Sequence, residues 1–263
     1  MTKEEVLQAQ LQAINDLYIS ERGKYILQNK DGTYSHSAAF KNNKRLTDPI
    51  VIRHLKRQST LGIFCPQKST KFITFDVDLE GENESYRREV VNNIIKHIVD
   101  IGIGRQFIHV SLSGSKGYHI TIFFNDMVYL NLAYKFYEYV IFSSGYSNIQ
   151  VEFRPTPTVG LKIPLSINRK TGIICSFVDE NFNIIKDELH ITKILKFDRD
   201  IFQEESNTLE VSEDDVKHYR VVDYNLSPNK FIKMKLEDIL YVENNVLPYS
   251  LVPSHSPSDG ILS

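Results

Sequence analysis

Apolar positions recur at helical spacing near the start of the chain, where Leu7, Leu11, Ile14 and Leu17 fall three or four residues apart within 4–19. That spacing predicts an amphipathic helix packed on the core. From 23 to 44 the pattern gives way to polar, turn-forming residues, including NKDGTYSHSAAFKNNK, which predicts a hairpin or loop. Thr47, Asp48 and Pro49 then open a short basic helix, with Asp48 suited to capping and Pro49 to the first helical position. STLGIFC, KFITFDVD, FIHVSLS and YHITIFF are β-branched and aromatic runs separated by turn or helix signals, as expected for strands of one sheet. Between the second and third runs, Val90, Ile94, Ile95 and Ile98 mark a crossing helix over 86–101, and the Tyr- and Phe-rich stretch 130–143 predicts another. Strand patterns resume at NIQVEFRP, GLKIPLSI and GIICSFVD. Helices alternate with strands, so the fold class expected is α/β or α+β.

Composition narrows the class without naming a chemistry. The chain has 263 residues, of which 41% are hydrophobic and 11% aromatic, which excludes wholesale disorder and collagen-like polymers. Cys65 and Cys175 lie far apart with no CxxC partner, against a Cys-based zinc site or a disulfide framework. The N-terminal residues lack an apolar signal core and no stretch has the length of a membrane span, so a soluble, cytoplasmic protein with no membrane partner is expected. The formal net charge is −2, which alone argues against a nucleic-acid partner. The sum hides an uneven distribution. Residues 1–197 carry 25 Lys and Arg against 20 Asp and Glu, whereas 198–263 carry 6 against 13. The last segment, SLVPSHSPSDGILS, is Pro- and Ser-rich without periodicity and is expected to be a flexible end.

The candidate chemistry begins at FITFDVDL. On a strand, Asp76 and Asp78 point one way while Phe75, Val77 and Leu79 point into the opposite layer. Two like-charged groups on one face need compensation, most simply by divalent cations. A bare DxD is weak evidence for this and by itself fits a pair of solvated carboxylates at a strand end better. Residues 110–124 add Ser113, Lys116 and His119 in a Gly-containing turn between two apolar strands, where backbone amides and the ammonium suit a phosphate. An ordinary hairpin with a solvent-facing Lys116 has the same pattern. In NIQVEFRP, Glu152 shares a strand face with Arg154, so it can complete a three-carboxylate site while Arg154 meets phosphate. Beyond it, Lys162, Ser166, Asn168, Arg169 and Lys170 form a polar, basic path suited to nucleotide or backbone phosphates, or a surface turn at 170–172. The segment 41–57 holds six basic residues against Asp48. Its Arg53, Lys56 and Arg57 form either a basic group suited to nucleic-acid phosphates or a solvated helix face.

Taken in order, the DxD strand, the S-x-x-K-G-x-H turn, the acidic strand and LKIPLSINRKTG resemble the archaeo-eukaryotic primase superfamily. LTDPIVIRHLKRQSTLGIF before FITFDVD is similar to the primase domain of TOTE conflict systems. The resemblance covers about 45–180. It implies an α/β module with an RRM-like sheet, and two Mg²⁺ or Mn²⁺ ions held by Asp76, Asp78 and Glu152. It implies an incoming nucleotide held by Ser113, Lys116, His119 and Lys162. Asn168 stands where the family's segment commonly has His, the third acid is Glu rather than Asp, and the zinc-binding cysteines of cellular primases are absent. On this reading 1–44 is accessory, 45–197 is a primase-polymerase core and 198–263 is an acidic extension. The partners implied are a single-stranded DNA template with its primer, nucleoside triphosphates, and a helicase or other replication protein. Two rivals share parts of the pattern: a DxD-type, Mn-dependent glycosyltransferase, and a non-catalytic nucleic-acid-binding module of the same fold.

Overall fold

The computed structural model describes residues 1–210 other than Asn43, Glu80, Lys116 and 147–149. The chain divides into two units, Met1–Val211 and Ser212–Ser263. Lys116, most of the acidic extension and the flexible end expected after it therefore lie outside the described residues.

The first helix, α1 (Lys3–Leu17), starts at a reciprocal cap. The Thr2 hydroxyl accepts from the Glu5 amide at 3.2 Å, and the Glu5 carboxylate accepts from the Thr2 amide at 2.7 Å. Leu11, Ile14 and Leu17 form its buried stripe. The polar stretch that follows is a hairpin, β1 (Ile26–Gln28) paired antiparallel with β2 (Tyr34–His36), and Gly32 supplies the positive φ of +92° its turn requires. Helix α2 (Asp48–Leu55) is entered through Thr47, so Asp48 is a first-turn residue instead of the cap its sequence suggests. There its carboxylate favours the positive end of the helix dipole.

Two antiparallel sheets follow from the strand patterns. One has the order β2-β1-β3-β8, with β3 at Leu61–Ile63 and β8 at Leu161–Lys162. The other has the order β7-β4-β6-β5-β9, comprising β4 (Ser69–Val77), β5 (Ile108–Leu112), β6 (Tyr118–Tyr129), β7 (Val151–Arg154) and β9 (Phe177–Val178). Every pairing within them is antiparallel, which resolves the expected class as α+β. The strand expected over 160–167 shrinks to two residues. Pro164 has no amide to donate, and Leu165 at φ +76° turns the chain away.

Alternation along β4 decides what each face of the second sheet meets. Phe75 packs on Phe136 and Tyr137 of α4 (Leu130–Ser144), with ring centroids 6.3 and 5.5 Å apart. Helix α3 (Glu84–Asp100) contributes Val90, Val91, Ile94, Ile95 and Ile98 to the buried set on this side. A last helix, α5 (Arg199–Thr208), sets Phe202 against Phe124 and Phe136 at 4.4 and 5.1 Å. On the opposite face, Phe72 and Phe123 meet Tyr18 at 5.0 and 4.9 Å, joining a core shared with α1, α2 and the first sheet. Farther along the same face the residues turn polar.

Candidate functional site

Strand β4 is paired on both edges, and its register sets Glu152 of β7 opposite Asp76 on one side and His119 of β6 opposite it on the other. Directly opposed residues share a face. Glu152, Asp76, His119 and Ser111 of β5 therefore form one polar row across the sheet. Arg154, Thr74, Thr121 and His109 form the next row, with the Thr74 and Thr121 hydroxyls hydrogen-bonded at 2.8 Å. Asp78 follows the end of β4 and is exposed.

Asp76 and His119 of the first row open on a cleft of about 880 Å³. Of the residues singled out in the sequence, Asp76, Asp78, Ser113, His119, Arg154, Lys162, Asn168 and Lys170 line it. Glu152 is held back, its carboxylate accepting from the Arg154 guanidinium. Ser166 is fully buried and its hydroxyl donates to the Ser59 carbonyl at 2.8 Å, which removes it from the wall. Arg169 is also off the wall: its amide donates to the Gln28 side chain at 2.8 Å, and its guanidinium reaches the Gln58 carbonyl at 3.4 Å. Arg53, Lys56 and Arg57 are exposed at the end of α2 and just beyond it, leading toward Gln58 and Arg169.

Local folding explains how the turn after β5 is aimed. The Ser113 hydroxyl accepts from the Gly117 amide at 3.1 Å, and the Gly117 carbonyl accepts from the Ser113 amide at 2.9 Å. Gly117 lies so close to β4 that an added Cβ would stand 2.5 Å from the Val77 carbonyl oxygen, so the position admits no side chain. The Lys162 ammonium, carried by the other sheet, donates to the Ser113 carbonyl, and the Thr171 hydroxyl donates to the Gly114 carbonyl. The first bond ties β8, and the second the 168–172 turn, to the turn after β5.

Charge in the cleft is balanced by proximity. Burial raises the Asp76 carboxyl above its usual range against the pull of Arg154 and Lys162. Burial likewise raises Glu152; Arg154 opposes the shift, while Asp76 and Asp78 add to it. His119 has Nε2 3.4 Å from the Asp76 carboxylate. Its pKa is pushed down to about 3 by burial, with Lys162 and Arg154 adding, so the ring is neutral at neutral pH. Burial lowers the Lys162 ammonium too, against Asp76 and Asp78. Among the described residues no three His, Cys, Asp or Glu side chains are gathered into a ready metal site. The donor set nevertheless suits a hard divalent cation: all three acids offer oxygen ligands, and two are raised by burial and so gain from a nearby positive charge.

Two features escaped the sequence reading. The β1–β2 hairpin supplies part of the cleft wall through Gln28, Thr33, Tyr34 and His36. Its alternation beside a D-G turn was visible, but the wall it joins is set by β1 pairing with β3. His54 is buried, donating from Nε2 to the Pro164 carbonyl at 2.7 Å and accepting the Leu61 amide at Nδ1 at 3.0 Å. It ties α2 to the first sheet and to the segment after β8.

Solved structures similar to the chain include the following two. The AEP domain of the cyanophage S-2L primase-polymerase is 11% identical, covering 73% of this chain and 98% of that chain, with a TM-score of 0.42. The polymerase domain of Mycobacterium tuberculosis Ligase D in complex with DNA is 12% identical, covering 77% and 88%, with a TM-score of 0.46. No curated protein matches. The family model described as "TOTE conflict system, Archaeo-Eukaryotic Primase domain" matches residues 17–204, so the polar row and its cleft belong to a member of that family.

Proposed function

We propose that the chain is a template-directed nucleotidyltransferase that joins nucleoside triphosphates into primers, or extends them, on single-stranded DNA. The observation that carries this reading is the row Glu152, Asp76 and His119, set across three strands by register, of which Asp76 and His119 open on the cleft that also holds Asp78, Arg154 and Lys162. Asp76, Asp78 and Glu152 would hold two Mg²⁺ or Mn²⁺ ions, which supply Lewis-acid charge to the attacking and leaving oxygens of phosphoryl transfer.

The chain's own groups then have separable tasks. Lys162 and Arg154 offer cationic donors to the triphosphate, and the neutral His119 offers an N–H to a phosphate oxygen instead of a proton. Ser113 shapes the 113–117 turn whose backbone meets the phosphates. The hydroxyl of a primer end, or of a first nucleotide, forms the new bond to the α-phosphorus as the bond to pyrophosphate breaks. Arg53, Lys56, Arg57, Arg169 and Lys170 would meet template or primer phosphates, leaving sequence choice to base pairing. A helicase or other replication protein would bring the template.

The test is incorporation of labelled ribo- or deoxyribonucleotides on primed and unprimed single-stranded templates with Mg²⁺ or Mn²⁺. The wild-type chain is expected to incorporate them, and Asp76→Ala/Asp78→Ala to lose at least about 10³-fold, since catalysis by paired cations fails without their ligands. Equal signal from both proteins, or none from either across templates and metals, rules the reading out.

A further inference from the structure

The hairpin β1–β2 carries a side chain that the phosphate and carboxylate chemistry leaves unused. Tyr34 and His36 alternate onto one side of β2 and both line the cleft, while Ser35 turns the other way to hydrogen-bond Asn29. The His36 ring is already stacked on Phe64 at 5.9 Å. Tyr34 makes no ring contact among the described residues and is 40% exposed, an aromatic face in a cleft whose charged and polar groups are interspersed with Ile26, Val159 and Ile173. Burial, then the charge of Asp76, pushes its hydroxyl up to about 12.

The hairpin is also held in place. Gln28 accepts from the Arg169 amide at 2.8 Å, and an added Cβ at Gly32 would stand 2.9 Å from Cδ of Lys170, so the hairpin tip packs on the 168–172 turn. A ligand whose phosphates lie against Lys162, Arg154 and His119 leaves its remaining part to the rest of the cleft lining, to which Tyr34 of β2 belongs. The cleft's 880 Å³ is ample for a whole nucleotide.

We propose that Tyr34 is the nucleoside-binding residue of the cleft, its ring stacking on the base of the incoming nucleotide. The proposal rests on the nucleotidyltransferase reading above. Every base has a π-face, so the contact raises affinity for all four bases alike and does not choose among them.

The experiment compares inorganic triphosphate with ATP, GTP, CTP and UTP and their 2′-deoxy forms. Binding is measured by calorimetry with Mg²⁺ for wild type, Tyr34→Ala and Tyr34→Phe. Wild type is expected to bind each nucleotide about tenfold more tightly than triphosphate, Tyr34→Ala to lose that margin without losing triphosphate, and Tyr34→Phe to keep it. Retention of the margin in Tyr34→Ala, or equal wild-type affinity for triphosphate and nucleotides, overturns the assignment while leaving the nucleotidyltransferase reading in place. A loss in Tyr34→Phe equal to that in Tyr34→Ala assigns the effect to the hydroxyl and overturns stacking. Absence of binding by wild type to either kind of probe overturns both. Circular dichroism of each variant separates these outcomes from misfolding, and if Tyr34→Ala unfolds, Tyr34→Leu replaces it as a non-aromatic side chain of similar bulk.

Discussion

His54, which is buried, and Asp76, which is partly buried, are both titratable, and their partners give them opposite consequences. His54 spends both ring nitrogens on backbone, donating to Pro164 and accepting from Leu61, which fixes the neutral tautomer. Burial lowers its pKa from 6.5 to about 4, with the Pro164 bond opposing. The unfolded chain therefore binds a proton that the folded chain refuses. Its contribution is fully present above pH 6.5, is lost as pH falls toward 4, and is on the order of 3 kcal/mol. Urea midpoints measured across this range should fall more steeply for wild type than for His54→Gln, and parallel curves would contradict the assignment. At Asp76 the same burial raises a carboxyl, so the site carries a cost that positive charge relieves. The strand positions of Asp76 and Glu152 were legible in the sequence because period-2 alternation is local. The destinations of Ser166 and Arg169 were not, because they depend on Ser59 and Gln28, more than a hundred positions away in the chain.

At the scale of elements, the turn between β5 and β6 is held by close backbone approach. Gly117→Ala would drive a methyl into the Val77 carbonyl and tilt the turn away from β4. We expect a destabilisation of about 1–3 kcal/mol and weaker nucleotide binding, read from the urea midpoint and from calorimetry. An unchanged midpoint would show that the turn relaxes freely. The helices and long strands were legible because their periodicity runs over many residues, as in α3 and β4. The short strands were less so. β8 keeps two of its eight expected residues, and the hairpin's part in the cleft follows from a partner strand more than thirty residues downstream.

For the whole molecule, charge is a matter of placement. Helix α5, rich in acids, packs within the first unit, so Met1–Val211 holds 26 Lys and Arg against 25 Asp and Glu. The excess of positive charge over 1–197 is thus partly offset within the same unit, and any phosphate-binding surface must come from local grouping. Arg53, Lys56 and Arg57 are exposed, and the Arg169 guanidinium reaches the next residue, Gln58. Replacing Lys56, Arg57 and Arg169 together by Ala should weaken single-stranded DNA binding and lower the salt slope by about 0.7 per lost phosphate contact, measured by anisotropy titrations over NaCl concentration. An unaltered slope would move the template path elsewhere. The two walls of the cleft also differ in how they are secured. Asp76 and His119 lie on strands paired along both edges, whereas β2 is a three-residue strand at the margin of its sheet. Moving the first wall requires breaking the sheet, whereas β2 keeps its place through β1 alone and through the packing of the hairpin tip on Lys170. In the proposed complex, then, the groups that face the reacting phosphates hold their spacing more rigidly than the wall that bears Tyr34.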